Sequence, residues 1–298
     1  MSKRNAPPAG GSAGGPTALR MIMGGYLRRL REGANVTREE AAFEIRASAS
    51  KISRMELGRV SFKPRDIKDL LVMYGVGDDA EIERLLVLVV EANEPGWWHR
   101  YGEALPDWFS AYLDLEGAAS VIRSYDVQFI PGLLQTRDYA RSVFMIGFGT
   151  ITLQEIDDRV KVRSDRKKIL TREKNPATLW TVIDEAALHR PIGGREVMRA
   201  QLEALIEACE MRNVLIQIIP FSTGRHSGAG GAFTWLRFND SELNDVVYLE
   251  HLTSGLYLDR EDEVDTYKAA MEHLCVQALQ PNETPDFIRK ILVDHYSQ

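Results

Sequence analysis

The sequence predicts two fold classes in one chain: an all-α bundle at the N-terminus, followed by a larger α+β domain with a small mixed or antiparallel sheet. In the first part, apolar residues recur at spacings of three and four, which is the period of a helix. After Ala177, short runs of β-branched and aromatic residues predict strands between further helices. The length of 298 residues also favours two domains over one. We therefore predict a disordered tail over residues 1–16, a helical domain over 17–93 and an α+β domain over 94–298.

Charge is distributed unevenly along the chain. Residues 1–75 contain 14 Lys and Arg against 7 Asp and Glu, a net charge of +7. The remaining residues contain 23 Lys and Arg against 36 Asp and Glu, a net charge of −13. A basic segment joined to an acidic one indicates that the first part contacts a polyanion, whereas chance clustering of charge is the alternative.

Composition disfavours several classes of protein. The two cysteines, Cys209 and Cys275, form no CxxC motif, which argues against a disulfide scaffold or a zinc ribbon and for a reducing, cytoplasmic environment. The longest apolar run, Leu85–Val90, is too short to span a bilayer. Because the first 16 residues contain no apolar segment, we expect no signal peptide.

Near the N-terminus the pattern predicts three short helices. The first spans Met21–Glu32. The second begins at Thr37, which is expected to form a capping box with Glu40. The third begins at Ser48, an N-cap residue, and ends at Gly58.

The inward faces of these helices follow from residue spacing. Ala41, Ala42 and Ile45 form the apolar face of the second helix, and Ile52 and Met55 that of the third. Ala42 is small, which allows the next helix to cross closely. Two further helices are predicted, Pro64–Tyr74 and Asp79–Ala92.

Two motifs in this region carry a family resemblance. T-x-E-E-A-A begins at Thr37 and S-K-I-S-R-M-E-x-G-R spans Ser50–Arg59; together they resemble an Xre-type (phage-repressor-like) helix-turn-helix domain. In such domains the third helix lies in the major groove of DNA and the start of the second contacts phosphate, which implies a phosphate contact for Arg38. The candidate DNA contacts are Arg38, Arg46, Ser48, Ala49, Ser50, Lys51, Ser53, Arg54, Arg59 and Lys63.

The sequence departs from the family pattern at two positions. Arg46 stands at the joint between the second and third helices, where the family usually has Gly, and a non-Gly residue in a left-handed turn costs about 1–2 kcal/mol. Arg46 also adds a cation that suits a phosphate. Ala49 stands where a longer polar side chain is common, so base readout there is limited to a methyl contact.

The rear of the chain alternates helices and strands. Helices are predicted over Pro106–Ala119, from Thr136, over Gln154–Glu173, Gly194–Met211, Asp262–Leu279 and Pro285–His295. Strands are predicted over Thr178–Asp184, Val214–Phe221, Phe233–Phe238 and Val246–His251, with a short fifth at G-L-Y-L-D from Gly255. The basic run Arg163, Arg166, Lys167 and Lys168 suggests either a solvated helix face or a contact with nucleic acid.

Side chains that could support catalysis are few. Asp184, Glu185 and His189 lie close in sequence, and His226 follows a strand, but their spacing matches no metal-binding motif. Carboxylates at such a strand end more often cap a helix or bind Arg. The segment Gly228–Ala232 resembles a phosphate loop only superficially, because it precedes a strand rather than a helix, and it is expected to be a flexible connection or a lid. We therefore expect no enzyme activity, no metal and no cofactor.

A second resemblance covers nearly the whole rear of the chain. The segments Phe129–Arg141, Leu179–Gly194 and Asn213–His226 are similar, in order and spacing, to the C-terminal domain of a large actinobacterial regulator family. The resemblance implies cytoplasmic transcription factors linked to development, antibiotic production and toxin–antitoxin-like pairs. It also implies a small partner protein encoded nearby, without defining a ligand.

These observations predict a regulator that binds double-stranded DNA as a homodimer. Its acidic rear domain is expected to bind a small partner protein or a small-molecule effector, and no membrane. Two alternatives are an antitoxin-like protein that sequesters a small partner and binds DNA for autoregulation, and an enzyme fused to a DNA-binding module.

Overall fold

The structure is a computed structural model that describes residues 15–146, 151–239 and 243–296, apart from the side chains of residues 103, 104 and 107. An all-α region is followed by an α+β region, which confirms the predicted fold class. The tail predicted over residues 1–16 lies almost wholly outside the described residues. Its last residue, Pro16, begins a helix five residues before the predicted start at Met21.

The chain divides into two compact units. The first contains the residues up to Arg100 together with Ser110–Ala118 and Phe238–Asn244. The second contains Tyr101–Phe109, Ala119–Arg237 and the residues from Asp245 onwards. The simpler domain limits expected from the sequence stay predictions.

The described segment from residue 15 to residue 93 folds into α1 (Pro16–Gly33), α2 (Arg38–Glu44), α3 (Ala49–Glu56), α4 (Pro64–Met73) and α5 (Asp79–Asn93). Their apolar stripes meet in one core, in which Met23, Leu27, Ile52, Leu71 and Leu85 are buried. Each such side chain contributes about 1.5–3 kcal/mol when it leaves water. The core therefore fixes the helix directions.

The helix starts agree with the capping residues read from the sequence. The Thr37 side chain accepts a hydrogen bond from the amide of Glu40, whose carboxylate accepts one from the Thr37 amide, so the predicted capping box is confirmed. The Ser48 side chain accepts a hydrogen bond from the Lys51 amide and caps α3. These bonds satisfy amides that the helix itself leaves without partners.

The first four helices end in the same way. After each of them the chain passes through one residue with positive φ, namely Asn35, Arg46, Gly58 and Gly75. After α2, the amide of Arg46 donates to the carbonyl of Phe43 at 3.1 Å and the amide of Ala47 donates to the carbonyl of Ala42 at 2.8 Å. This pair of bonds is the Schellman motif, and equivalent pairs follow the other three helices. Arg46, at φ 52°, is thus in the left-handed turn expected from the sequence.

Helix α1 crosses α3 with almost no space between the two backbones. A Cβ atom at Gly24 would lie 2.5 Å from the carbonyl oxygen of Met55 and 2.6 Å from that of Glu56. Gly58, at the end of α3, has φ 64°, and a Cβ there would lie 2.6 Å from the amide nitrogen of Met21. Both positions require glycine, because backbone atoms cannot move away cheaply.

A buried carboxylate ties helix α6 (Asp107–Ala118) to the start of α1 within the first unit. Asp114 is 1% exposed. It accepts hydrogen bonds from the Thr17 hydroxyl at 2.8 Å and from Trp98 Nε1 at 2.9 Å. Burial raises the pKa of Asp114, and these bonds partly oppose that shift. Trp98 therefore anchors its segment at the edge of the core.

The second unit is built on a six-stranded mixed sheet in the order β3-β2-β1-β4-β5-β6. The strands are β1 (Val121–Asp126), β2 (Thr178–Asp184), β3 (Val214–Ile219), β4 (Phe233–Arg237), β5 (Val246–Glu250) and β6 (Gly255–Leu258). β1, β2 and β3 run parallel, whereas β4, β5 and β6 continue from β1 in antiparallel pairs. The five predicted strands are confirmed, but sequence reading missed β1, which lies in the middle of the sheet.

The helices of this unit are α7 (Arg137–Met145), α8 (Leu153–Arg166), α9 (Lys168–Thr171), α10 (Glu185–His189), α11 (Arg195–Ala208), α12 (Glu261–Gln277) and α13 (Thr284–Tyr296). Met271 and Leu274 of α12 pack into one apolar cluster with Val182, Trp235 and Val247 of the sheet. Helix α12 therefore covers the face of the sheet on which these three strand residues lie.

The helix predicted over Gln154–Glu173 is two helices, because the chain turns at Lys167. The basic run in this region is not a solvated face. Arg166 is buried, and Arg163 donates to the Gln135 side chain at 3.0 Å. Lys167 donates to the Gln135 carbonyl at 2.9 Å, and burial lowers its pKa. These cations hold the unit together, so the solvated-face interpretation is wrong for these three residues, and the nucleic-acid alternative stays a prediction.

Two further features of the described residues bear on function. No helix among them combines the length and the apolar character that a membrane crossing requires. The glycine-rich segment expected to be a loop or lid contains a short 3₁₀ helix, Ser227–Gly230, whose Gly228 amide donates to His226 Nδ1 at 3.1 Å.

Gly24→Ala is expected to lower the free energy of unfolding by about 1–3 kcal/mol or more, because the new methyl group meets two carbonyl oxygens of α3. Gly33→Ala is the matched control, since it lies in the same helix with no atom within 4 Å of the new Cβ. That control is expected to be neutral or stabilising by up to about 1 kcal/mol. Urea unfolding of the two variants measures the difference; equal effects would contradict the close crossing of α1 and α3.

Candidate nucleic-acid interface

Helix α3 presents a small polar face to solvent. Its inner side buries Ile52, Met55 and Glu56. On the opposite side Ser50 and Arg54, one turn apart, are exposed, and Ala49, Lys51 and Ser53 beside them are half-buried. Small side chains around the two long cations, Lys51 and Arg54, leave room for the edges of base pairs. The structure therefore brings together the five residues that the sequence placed on the reading helix.

Three cations lie at the ends of the helices around α3. Arg46 follows α2, Arg59 follows α3 and Lys63 is the N-cap residue of α4, and all three are exposed. Because Arg46 and Arg59 occupy Schellman turns, hydrogen bonds fix the positions of their backbone atoms. Such an arrangement suits phosphate groups on either side of a groove.

Arg38 is held in place by a buried carboxylate. Glu56 is 6% exposed and accepts a hydrogen bond from Arg38 Nε at 3.0 Å. Its other oxygen accepts one from Arg31 Nε of α1, and that bond raises the pKa of Arg31 above its ordinary value. The Arg38 side chain remains 41% exposed. Glu56 thus orients Arg38 at the start of α2 while leaving part of its guanidinium in solvent.

Lys51 is engaged in an ion pair that sequence reasoning did not foresee. Its Nζ lies 2.7 Å from Oδ2 of Asp66, in the first turn of α4. The two side chains are 30% and 15% exposed, so the pair is partly shielded from water. Any contact of Lys51 with a base or a phosphate must compete with Asp66 for the same ammonium group. Lys51 is therefore not equivalent to Arg54, whose contact with the Ser50 carbonyl lies within its own helix.

Ser48 contributes less than the sequence suggested. Its side-chain oxygen already accepts the Lys51 amide as the cap of α3, although the residue is exposed. Only its hydroxyl proton remains for a DNA phosphate oxygen. Ser48 consequently fixes where the reading helix begins, and a contact with DNA would be secondary to that role.

Two acidic residues, Glu56 and Asp66, also belong to the site, although they were not predicted from the sequence. Glu56 has a readable signal, because an acid at the inward position of an otherwise apolar helix face requires a buried cationic partner. Asp66 has no comparable signal, since it stands in the first turn of its helix, where an acid is ordinary. Its pairing with Lys51 depends on how α3 and α4 pack.

The carboxylates considered for catalysis in the rear domain have structural partners. Asp184 caps α10 by accepting a hydrogen bond from the Ala186 amide at 2.9 Å, as the structural interpretation predicted. Glu185 accepts one from the Phe221 amide at 2.6 Å and lies 3.0 Å from His189 Nε2. His226 Nε2 lies 3.7 Å from Asp184 Oδ2. The structure therefore places these four residues at one end of the parallel strands, as two separate pairs.

Comparison with protein families agrees with this division of the chain. Residues 22–85 match a family described as a helix-turn-helix domain. Residues 109–290 match a family described as a domain of unknown function, DUF5753. No curated protein and no solved structure matches the chain. The Xre subtype and the actinobacterial affiliation implied by the resemblances stay predictions. Since the second match covers more than half of its residues, the chain belongs to the DUF5753 family and carries a helix-turn-helix domain before it.

Proposed function

We propose that this protein is a transcriptional regulator that binds a specific DNA sequence as a homodimer and responds to a signal received by its DUF5753 domain. The helix-turn-helix match supports a DNA-binding regulator. The observation that carries the proposal is the outer face of α3, where Ser50 and Arg54 are exposed beside small side chains. The cations around that face match the phosphates of a DNA groove.

Each part of the surface has its own role in this proposal. Arg54 and Lys51 contact base edges, for which guanidinium and ammonium groups favour guanine. Arg38, oriented by Glu56, contacts phosphate at the start of α2. Arg46, Arg59 and Lys63 add contacts to the DNA backbone, which position the helix without reading sequence.

Dimerisation follows from the small size of the reading face. One such face contacts only a few base pairs, which is too little for good specificity. Two copies on half-sites about 34 Å apart double the contacts and match a palindromic operator. Because DNA binding requires access to the chromosome, we place the protein in the cytoplasm.

In this proposal, the second unit binds the molecule that carries the signal. Residues 119–298, which form most of this unit, contain 21 Lys and Arg against 26 Asp and Glu, and this net charge of −5 disfavours DNA contact there and suits a basic partner protein or a cationic small molecule. A ligand that binds one arrangement of the dimer more tightly than another shifts the population of DNA-competent molecules. Binding rather than catalysis is proposed, because Asp184 and Glu185 already serve structural hydrogen bonds.

The test is a gel-shift titration on the protein's own promoter DNA, with random DNA of equal length as the control. Selective binding supports the proposal, and a footprint of two half-sites supports the dimer. The titration is repeated with the product of the adjacent small gene. Equal affinity for both DNAs would overturn sequence-specific regulation. A partner that is harmful alone and is neutralised without DNA would instead indicate an antitoxin-like protein.

Arg54→Ala is expected to weaken operator binding by about 1–3 kcal/mol and to leave random DNA nearly unaffected, because the lost contact is to a base. Fluorescence anisotropy with both DNAs gives the two affinities. Unchanged operator affinity would mean that the exposed face of α3 does not enter the groove.

Arg38→Ala is expected to weaken operator and random DNA about equally, because a phosphate contact carries no sequence information. The slope of log affinity against log salt concentration should fall by about 0.9 for the one lost phosphate contact. A selective loss on the operator would instead assign Arg38 to base readout.

Asp66→Asn is expected to raise the affinity for DNA severalfold, because Lys51 no longer has to leave an ion pair before it binds. Asp69→Asn is the matched control: it removes the same charge from the same helix, where Asp69 lies 3.9 Å from Arg65. A larger effect of Asp66→Asn than of Asp69→Asn would show that the loss of competition for Lys51, and not the change in net charge, raises the affinity. In a Lys51→Ala background the two substitutions should become equivalent; a persistent difference would contradict this role of Lys51.

A further inference from the structure

A row of hydroxyl groups crosses one face of the sheet in the DUF5753 domain. Ser124 pairs with Thr181 on one side and with Thr234 on the other, Thr234 pairs with Tyr248, and Tyr248 pairs with Tyr257. Directly paired residues project to the same face of a sheet, so five strands each contribute one hydroxyl to this row. The face of a sheet inside a domain is ordinarily apolar, and such a row requires polar partners.

Not all of these hydroxyls are satisfied by the protein. The hydroxyls of Ser124 and Thr181 lie 2.9 Å apart, and the Tyr257 hydroxyl donates to the Trp108 carbonyl at 2.7 Å. The hydroxyl of Thr234, which is half-buried, forms no hydrogen bond with any described residue. The middle of the row therefore presents an unused donor and acceptor.

Asp126 stands beside this row, at the last position of β1. Its Oδ2 lies 2.6 Å from the Ser124 hydroxyl and 3.3 Å from that of Thr181. Its Oδ1 has no hydrogen-bond partner among the described residues. Protein surrounds the carboxyl group closely, and yet the residue keeps intermediate solvent exposure. Asp126 is therefore a half-buried carboxylate with one oxygen that no described residue binds.

The topology of the sheet places this carboxylate where a ligand is expected. From β1 the chain proceeds to β2 on one side, and it later returns as β4 on the other side. In open α/β sheets, ligands bind outside the carboxyl ends of the parallel strands, and β1 is the parallel strand that borders the antiparallel half of this sheet. Asp126 is the carboxyl-terminal residue of that strand.

The charges around Asp126 favour a cation. Glu250, at the end of β5, adds a second negative charge, and Arg163 of α8 adds one positive charge. Arg163 already donates to Gln135 and stacks on the Phe144 ring at 4.9 Å. When Asp126 is ionised, the negative charges of Asp126 and Glu250 exceed the positive charge of Arg163 by one. Among the described residues, no three His, Cys, Asp or Glu side chains are arranged for a metal ion, so an organic cation fits better.

We propose that Asp126, Thr234 and Glu250 line a binding site for a small hydroxylated amine, such as an amino alcohol or an amino sugar. The ammonium group binds Oδ1 of Asp126 as a charge-assisted donor. The ligand hydroxyls bind Thr234 and the adjoining row. This inference rests on the proposed function, because it names the class of ligand that the DUF5753 domain receives there. The binding itself is measured without DNA.

The first experiment is calorimetric titration of the full-length protein with two matched probes. One is 2-amino-1,3-propanediol, and the other is glycerol, which differs only by a hydroxyl in place of the ammonium. The amine is expected to bind about tenfold more tightly or better, because only it forms the charged bond. Isopropylamine, which lacks the hydroxyls, should bind more weakly than the amino diol. Equal binding of glycerol and the amino diol would overturn the proposal, and so would tighter binding of Mg²⁺ in competition.

Variants test the position of the site. Asp126→Asn is expected to reduce affinity for the amino diol about tenfold or more, and Glu250→Gln, at an exposed position, by a smaller factor. Asp294→Asn, an exposed carboxylate on α13, is the matched control and should have no effect. Asp126→Asn should still fold, because burial already disfavours the charge that it removes. Unchanged affinity in both Asp126→Asn and Glu250→Gln would overturn the proposal.

The pH dependence gives an independent check. Burial raises the pKa of Asp126 to about 6, so the carboxyl group becomes protonated and loses its attraction for ammonium as the pH falls through that value. Affinity should therefore fall about tenfold between pH 7 and pH 5. Among the described residues, Glu250, Arg163, Ser124 and Thr181 interact with Asp126, as do Tyr125 and Tyr139, and burial raises the pKa of both tyrosines far above this range. A flat profile would contradict the role of Asp126.

The outcomes separate this site from the proposed function. If the amino diol binds at Asp126 and leaves DNA affinity unchanged, the site stands and its role as the receiver fails. If the protein binds no specific DNA, the calorimetric result still decides the site by itself.

Discussion

The orientation of the reading helix depends on one buried carboxylate. Glu56, at the end of α3, receives hydrogen bonds from Arg31 of α1 and Arg38 of α2, so three helices meet at one side chain. Removing the buried Arg31 would leave Glu56 with only the part-exposed Arg38 as its cation, and breaking a buried ion pair commonly costs about 3–5 kcal/mol. An apolar triad of similar volume would be no less stable. What such a triad could not supply is a fixed direction for Arg38, and this is the property that a phosphate contact needs.

The helical domain was largely readable from sequence because its determinants are local. Thr37, Ser48 and Gly58 each act within a few residues of their own position, as cap or as turn, and the structure places all three accordingly. Arg46 was recognised as a left-handed residue for the same reason. The ion pair between Lys51 and Asp66 was not predicted, because it depends on how two helices pack. The spacing of residues within each helix does not indicate it.

The strand missed in the rear domain shows a different limit. β1 has the sequence V-I-R-S-Y-D, in which polar residues interrupt the alternation that identifies a half-buried strand. Ser124 and Asp126 occupy the side that would otherwise be apolar, and they are the residues that meet the hydroxyl row. Periodicity fails there because the strand carries hydrogen-bonded polar side chains on that face instead of a continuous apolar core. A departure from the local rule in the middle of a sheet is therefore a reason to search that position for a ligand.

Each unit contains a charged side chain that is available for a further interaction. In the first, Lys51 is paired with Asp66, with which an acceptor on DNA would have to compete. In the second, Asp126 retains a deeply placed carboxylate with an unused oxygen, although an apolar side chain would be more stable in the unbound protein. An arrangement that disfavours the unbound state increases the difference in free energy between the free and bound forms. A ligand shifts a population only by the difference between its affinities for two conformations, so in the proposed regulator the two groups act where those conformations differ in how far Lys51 and Asp126 are free to bind.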